Sequence, residues 1–335
     1  MTRSGITLAG CSLLAAALLA LTGCSSSGDT PGTGHQPAQG TTAPQAGEAD
    51  LPFDVRPLLA PKKKYFGVAR EGAPNSMAPI DEYRTMVGKQ PNLIEYYAAF
   101  GDGFDAKGVR NAWNAGALTV MSWEPFDAPL ADIADGKSDA YLKKYAASVQ
   151  KLNLPVAISF ADEMNGQWEK WGTKYATPDD YVRAWRHIHN LFIEAGAANA
   201  IWVWSPNIIN PVKSVDVEKY YPGDAYVDWV GMVGYFTLPE DNAFDSVFGP
   251  TIEKIRSFSK KPILILETAA EPGQRRREDI HQLYTGVKDD DGIIGFVWFD
   301  YRKRGDWRLS ASPLALAEFK KLAADGQFGF DVREP

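Results

Sequence analysis

The stretch Ile293-Ile294-Gly295-Phe296-Val297-Trp298 decides the fold class, because it is a short apolar run in which polar residues do not alternate with apolar ones. A strand of a parallel sheet that is covered on both faces has this pattern, whereas a strand with one wet face alternates. The run Pro262-Ile263-Leu264-Ile265-Leu266 has the same character. Both runs predict buried parallel strands.

Six further runs complete a series of eight. The predicted strands span residues 65–70, 93–100, 118–125, 156–164, 200–207, 228–236, 262–269 and 293–301. Each begins roughly 25 to 45 residues after the previous one, which leaves room for a crossover helix. Eight such units in succession predict an α/β protein with a (β/α)8 TIM barrel over residues 62–335.

One connecting segment carries clear helix boundaries. Thr177 offers a capping hydroxyl, Pro178 suits the first helical position, and Asp180 places a carboxylate three residues after the cap. Apolar residues follow at helical spacing until Gly196, which favours a left-handed stop. The sequence therefore predicts a helix that packs an aromatic stripe on the barrel.

Composition bounds the function. The chain has 335 residues, 45% of them hydrophobic and 23% charged, which suits one large globular domain. A formal net charge of -7 leaves no broad basic face, so nucleic acid is not an expected partner. The four histidines form no ligand cluster in the sequence, and neither a metal nor another cofactor is expected. We expect a monomer.

The N-terminus predicts export. In residues 1–23, Arg3 precedes an apolar run that ends in Leu21-Thr22-Gly23-Cys24, which is a signal peptide in pattern and resembles a bacterial lipobox. Lipidated Cys24 would anchor the protein to the outer face of the bacterial cell membrane, outside the cytoplasm; a plain secretory signal with an incidental cysteine is the alternative. Residues 24–61 are rich in small and polar residues and predict a disordered tether.

Two glutamates stand where a barrel places catalytic groups, at the C-terminal ends of strands. Glu163 ends the fourth run and Glu267 the seventh. Two carboxyls roughly 5 to 5.5 Å apart flank a glycosidic bond in retaining glycosidases. We expect Glu267 to attack as the ionised nucleophile and Glu163 to be the acid/base. Taken singly, a glutamate at a strand end is more often a structural ion pair.

The motif around Glu163 resembles a known family. Phe160-Ala161-Asp162-Glu163-Met164-Asn165-Gly166-Gln167-Trp168, with Trp171 beyond it, is similar to the acid/base motif of glycoside hydrolase family 26, the β-mannanase family of clan A. Similar pieces run in order over residues 65–308. The resemblance implies the same roles for Glu163 and Glu267, a hydrogen bond from Tyr235 to the nucleophile, and a sugar site lined by Trp168 and Trp298.

Aromatic and acidic side chains at the strand ends complete the predicted sugar site, since flat rings stack on pyranose faces. About half of the aromatic residues are expected to pack in the core instead. The predicted substrate-binding residues are Trp123, Asp162, Trp168, Trp171, Tyr235, Trp298 and Asp300.

Two departures from the family pattern concern the residues before Glu163. The family usually has His immediately before its acid/base and Arg four residues before it, where this chain has Asp162 and Ser159. An acceptor-only Asp162 would change which hydroxyls are held, and its charge would raise the pKa of Glu163. A shift of substrate preference is the expected result.

Basic groups follow two strands, at residues 275–277 and 302–304. A solvated loop is the plain interpretation of each. If both clusters line the catalytic face, an acidic polysaccharide is the alternative.

The sequence thus predicts a retaining endo-glycosidase that hydrolyses a β-linked polysaccharide, β-mannan-like or a related β-glycan. A non-catalytic glycan-binding surface lipoprotein is the alternative, and transglycosylation differs only in the acceptor. The polymer stays open among mannan, mixed-linkage glucan, xylan and an exopolysaccharide.

Overall fold

The computed structural model describes residues 51–237 and 242–335. The predicted signal peptide, Cys24 and most of the predicted tether lie outside the described residues.

Eight parallel strands close into a barrel, each paired with the next and the eighth with the first. They are β1 Tyr65–Ala69, β2 Leu93–Ala99, β3 Leu118–Glu124, β4 Val156–Phe160, β5 Ala200–Trp204, β6 Trp229–Val233, β7 Ile263–Thr268 and β8 Ile293–Phe299. Each lies within or closely matches a predicted run, so the (β/α)8 prediction is confirmed. A short hairpin, β9 Arg302–Lys303 with β10 Gly305–Asp306, follows β8.

Helices surround the barrel. In the described part of the chain they are α1 Arg56–Leu59, α2 Ala78–Val87, α3 Ala106–Asn114, α4 Leu130–Ala134, α5 Asp139–Leu152, α6 Pro178–Glu194, α7 Phe244–Val247, α8 Gly249–Arg256, α9 Arg276–Asp289 and α10 Pro313–Ala323. Short 3-10 turns span Asn210–Val212, Val217–Tyr220, Asp224–Tyr226 and Leu309–Ala311.

The boundaries of α6 follow from its sequence. Thr177 and Asp180 form a reciprocal capping box, in which each side chain accepts the other residue's backbone N–H. Gly196 adopts φ 72°, a left-handed conformation that glycine favours, just beyond the last turn. Tyr181, Trp185 and Phe192 are buried on the face toward the barrel, as the stripe predicts.

Residues 51–61 pack against the barrel, which corrects the prediction that the tether extends to residue 61. Phe53 meets the ring of Trp113 edge-on at 5.3 Å, and its backbone N–H donates to Asn153. Leu58, in α1, is buried. Four apolar side chains of this segment, Phe53, Val55, Leu58 and Leu59, pack in or against the core, so the folded part includes these residues.

In residues 51–237 and 242–335, no helix combines the length and the apolar character that a membrane span requires.

Candidate active site

The ends of β4 and β7 bring Glu163 and Glu267 to the same cavity at the mouth of the barrel. The cavity measures about 320 Å³. Its lining residues are Glu163, Trp168, Glu169, Tyr235, Glu267, Phe299, Lys303, Arg304 and Trp307. Two glutamates that are distant in sequence therefore meet at one site, as the strand count predicts.

The backbone around Glu163 is held in an unusual conformation. Ala161 and Glu163 adopt φ of 50° and 54°, a left-handed region that costs non-glycine residues on the order of 1–3 kcal/mol each. The N–H of Glu163 donates to the carbonyl of Ser205 at 2.7 Å, and the N–H of Gly166 donates to the carbonyl of Glu163 at 2.7 Å. These bonds fix the direction in which the Glu163 side chain leaves the strand end.

Two donors hold the Glu163 carboxyl, one on each oxygen. The indole N–H of Trp168 donates to Oε2 at 3.0 Å, and the Asn207 amide donates to Oε1. Asn165 fixes Asn207 in turn, through two hydrogen bonds of 2.8 Å to its backbone N–H and C=O. The carboxyl is therefore oriented from both sides, and its remaining lone pairs are available to a proton and a ligand.

Burial and the negative charge of Glu267 raise the pKa of Glu163, and the hydrogen bonds from Trp168 and Asn207 lower it, with a net value of about 7. A carboxyl group with this pKa can carry a proton at neutral pH and can also lose it. That is the requirement for a group that acts first as an acid and then as a base.

Glu267 accepts hydrogen bonds from two phenols. Tyr97 donates to Oε2 and Tyr235 to Oε1. Burial raises the pKa of Glu267, whereas these two hydrogen bonds and the charge of Lys303 lower it. Burial also keeps the pKa of both phenols well above 10, so they remain donors. For Glu267, burial outweighs the lowering effects, so its pKa lies above its usual value, and the two phenols and Lys303 are the groups that stabilise its ionised form at the cavity.

Asp162 is buried, and its proton affinity differs from the sequence expectation. Burial raises its pKa well above the usual range, and the charges of Glu124, Glu163 and Glu267 raise it further. A carboxyl that keeps its proton is both a donor and an acceptor, so the raised pKa favours a different role for Asp162 from that of the acceptor-only side chain expected from the sequence. The described contacts of its Oδ1 include no hydrogen bond. Glu163 and Glu267 raise the pKa of Asp162, and the main charges that act on Glu163 come from Glu267 and Glu169.

Ser159 stands where the family resemblance leads one to expect Arg. Its hydroxyl donates to the Ser205 hydroxyl at 2.7 Å, and both are buried inside the barrel. A Cβ on Gly231 of β6 would approach the Ser205 hydroxyl to 2.4 Å. The barrel interior below Glu163 is therefore filled by small side chains, which support the Ser205 carbonyl that holds the Glu163 backbone.

Sequence reasoning missed several residues that the structure places at the site. Tyr97 and Asn207 bind the two carboxyls, and Lys303, which the sequence showed only as one member of a basic run, lines the cavity. Glu95 lies buried two residues before Tyr97 in β2, where Ser122 donates to its carboxyl at 2.8 Å. A signal was present, because polar residues at alternate positions of an otherwise apolar strand point to one face, here the inside of the barrel.

Three tryptophans predicted to line the sugar site are buried instead. Trp123 stacks on Tyr145 at 4.5 Å, and Trp298 packs edge-on against Phe319 of α10 at 5.3 Å. Because successive residues of a barrel strand face opposite sides, each of these rings points to the helices. Trp171 is also buried, and its indole N–H donates to the carbonyl of Asp162 at 2.6 Å. Trp171 supports the site without offering a surface to a sugar.

Asp300 is likewise structural, which corrects its prediction as a substrate-binding residue. It is buried, its Oδ2 lies 3.0 Å from the Arg70 guanidinium, and its Oδ1 accepts the N–H of Leu309 at 2.7 Å. These contacts join the segment after β8 to Arg70, which directly follows β1.

Trp168 and Tyr235 are the predicted aromatic residues that reach the cavity. Trp168 is 40% exposed, so its ring is available to a ligand. Both residues also line a second cavity of about 700 Å³. Its other lining residues are Asn207, Ile208, Ile209, Asn210, Pro211, Lys213, Gly234, Thr237, Ser246 and Pro250. The two cavities adjoin and form an open groove past Glu163.

A closed parallel barrel whose mouth holds two carboxyl groups in different hydrogen-bonding environments has the arrangement of a glycoside hydrolase. Comparison with known proteins agrees. Residues 126–255 match the model of Glycosyl hydrolase family 26, a segment that includes Glu163 and ends before Glu267.

Curated relatives support the same class. The chain is 29% identical over 269 residues to "Endoglucanase H" of Acetivibrio thermocellus, which covers 76% of this chain and 30% of that protein. It is 34% identical over 202 residues to "Mannan endo-1,4-beta-mannosidase" of Bacillus subtilis, which covers 48% of this chain and 55% of that protein. The chain thus spans less than two thirds of the length of these relatives.

Among solved structures, a GH26 β-mannanase from Bacteroides ovatus superposes with a TM-score of 0.62 at 16% identity, over 82% of this chain and 92% of that one. At this identity the likeness shows the fold alone. Together the comparisons support a glycoside hydrolase.

Proposed function

We propose that this protein is a retaining endo-glycosidase that hydrolyses a β-linked polysaccharide. The observation that carries the proposal is the pairing of Glu163 and Glu267 in one cavity, where two phenols and a lysine favour the charge on Glu267 while that charge favours a proton on Glu163. The two carboxyls therefore stand in different environments of charge and hydrogen bonding, as the two roles in double displacement require.

In the first step, ionised Glu267 attacks the anomeric carbon and the glycosidic C–O bond breaks. Glu163 gives its proton to the departing oxygen, so the leaving chain exits as an alcohol. Glu267 becomes an ester, and its negative charge disappears. Since that charge raises the pKa of Glu163, its loss makes the remaining carboxylate stable.

In the second step, Glu163 takes a proton from water as the water oxygen attacks the anomeric carbon. The ester bond breaks, Glu267 regains its charge, and Glu163 regains its proton. Two inversions at one carbon leave the product with the configuration of the substrate. Tyr97 and Tyr235 donate to the Glu267 carboxylate at the start and at the end of this cycle.

Endo action is supported by the groove. The second cavity shares Trp168 and Tyr235 with the first and is open, so a chain bound at the carboxyl pair can extend beyond it in that direction. A cavity of about 700 Å³ lies in the range that holds ligands of several rings. The named relatives act on a glucan and a mannan, and both polymer classes are candidates for this chain.

A panel of purified polysaccharides tests the proposal. Mannan, mixed-linkage glucan, xylan and an acidic glycan are incubated with the purified protein, and products are sized over time. We expect at least one β-glycan to yield intermediate oligosaccharides first, with retained configuration in the earliest NMR spectra. Binding without cleavage on every member of the panel would favour the glycan-binding lipoprotein instead.

We also propose that Cys24 carries a lipid and anchors a monomeric enzyme to the outer face of the membrane. The motif Leu21-Thr22-Gly23-Cys24 supports this proposal. In a bacterial host, wild-type protein should fractionate with membranes, and Cys24→Ala should not. Recovery of both proteins in the soluble fraction would contradict lipid anchoring.

A further inference from the structure

We propose that Lys303, on the hairpin after β8, is a positioning residue whose charge stabilises the ionised, attacking state of Glu267 against the effect of burial. The inference rests on the proposed function, because it assigns a task within the same reaction. It concerns the nucleophile's protonation and not contact with the reacting carbon.

The hairpin contacts both phenols that bind Glu267. The Nζ of Lys303 lies 6.0 Å from the ring centroid of Tyr97, whose hydroxyl donates to Glu267. Trp307, just after β10, packs its ring against Tyr235 with centroids 5.0 Å apart. The indole N–H of Trp307 also donates to the carbonyl of Lys303 at 3.0 Å. Lys303 is thus tied to the network around the nucleophile.

Lys303 has no ion-pair partner within the described residues, although acids surround the cavity. Titratable groups face this region from several elements. They are Glu95 and Tyr97 of β2, Glu124 of β3, Asp162, Glu163 and Glu169 after β4, Tyr235 after β6, Glu267 of β7, Tyr301 after β8, and the hairpin cations Lys303 and Arg304. Because Lys303 is not paired with one carboxylate, its positive charge acts on all the acidic side chains around the cavity.

The electrostatic consequence has a definite sign. The charge of Lys303 lowers the pKa of Glu267, whereas burial and the charge of Glu169 raise it. It also lowers the pKa of Glu124, which burial raises to about 7. Without the lysine, a buried Glu267 among acids would retain its proton to higher pH and would attack less often at a given pH.

Lys303→Met tests the inference, with Lys303→Arg and Arg302→Gln as matched variants. The Arg302→Gln substitution removes one positive charge from the same β-strand, at a residue that does not line the cavity. The readouts are the pH profile of kcat/KM on the best polymer of the panel and the rate of covalent labelling by a mechanism-based fluoroglycoside. Circular dichroism and Tm check that each variant folds.

We expect Lys303→Met to move the acidic limb of both profiles upward by about one pH unit, because a neighbouring opposite charge favours the ionised carboxyl. Lys303→Arg should retain the wild-type limb, and Arg302→Gln should leave it in place. Since Lys303 is exposed, high salt should shift the wild-type limb toward that of Lys303→Met.

The acidic limb of Lys303→Met coinciding with that of wild type would overturn the inference. Loss of activity on acidic glycans alone, without a shift of the limb, would also overturn it, because the lysine would then bind a charge on the substrate. If the wild-type protein neither cleaves any polymer nor becomes labelled, the proposed function is contradicted. That result is distinct from an unshifted acidic limb, which contradicts only the role of Lys303.

Discussion

The indole N–H of Trp168 donates to Oε2 of Glu163 at 3.0 Å, while the Trp168 ring stays 40% exposed in the groove. One side chain therefore offers a face to a sugar and holds the carboxyl that is proposed to protonate the leaving oxygen. Binding of the leaving chain and orientation of the acid depend on the same residue.

Trp168→Phe separates these two tasks, because the ring stays and the donor is lost. Since the hydrogen bond lowers the pKa of Glu163, its loss should raise that pKa above about 7 and move the basic limb of kcat/KM to higher pH. The pH profile measures the shift. Trp168→Ala should in addition raise KM, and an unmoved limb in Trp168→Phe would contradict the role of the indole N–H.

The basic limb itself reports Glu163. With a pKa of about 7, the proton that the first step requires is lost above neutrality, so kcat/KM should fall roughly tenfold per pH unit there. Glu163→Gln should abolish the limb and slow turnover of polymer most strongly. Aryl glycosides with good leaving groups need little acid assistance and should retain more of the first step, which a burst assay measures.

Tyr97→Phe and Tyr235→Phe each remove one donor from Glu267. A hydrogen bond to a charged group contributes about 1.5–3 kcal/mol, so each variant should lose roughly 10- to 100-fold in kcat/KM. Tyr284→Phe is a matched control, because Tyr284 is buried beside Phe319, and the described contacts of its hydroxyl include no hydrogen bond. Equal losses in all three variants would point to packing instead.

Asp162→Asn tests the protonation of Asp162. Because burial raises the pKa of Asp162, we expect its side chain to be neutral near pH 7, and an amide of the same shape should change little. We expect the basic limb of kcat/KM to stay within about 0.3 pH units of wild type, which is well below the shift that a full neighbouring charge produces. A clear downward shift would show that Asp162 is charged.

Trp298→Ala should unfold more easily than wild type without a specific effect on the site. Loss of a fully buried Trp typically costs about 3–5 kcal/mol of the free energy of unfolding. Urea unfolding measures this cost, and Trp298→Phe should restore much of it together with normal KM. A raised KM at an unchanged free energy of unfolding would instead indicate that Trp298 contacts the sugar.

The barrel follows from the sequence because its strands are buried on both faces and each apolar run is continuous. The location of each glutamate can also be predicted, since the C-terminal ends of the strands lie at the mouth of the barrel. The direction in which each side chain of a strand points cannot be predicted in the same way. Trp298 and Phe299 are adjacent, yet Trp298 packs on α10 and Phe299 lines the cavity. In an unbroken apolar run, the pattern carries no mark of which residue points inward.

Partners that depend on strand pairing were also beyond the sequence. Tyr97 reaches Glu267 from β2, 170 positions earlier, and Asn207 reaches Glu163 from the segment after β5. Lys303 was visible only as one member of a basic run. Its place at the cavity depends on the hairpin, whose two-residue strands are too short to show a periodic pattern.

The central claim is that Glu267 becomes covalently bound to the sugar. An activated 2-fluoro glycoside of the sugar that the enzyme prefers slows the second step, and mass spectrometry of the digested protein then locates the ester. We expect one label per molecule on the peptide that contains Glu267 and no label on the Glu267→Ala variant. A label on Glu163 or Glu124, or hydrolysis with inversion and no label, would contradict it.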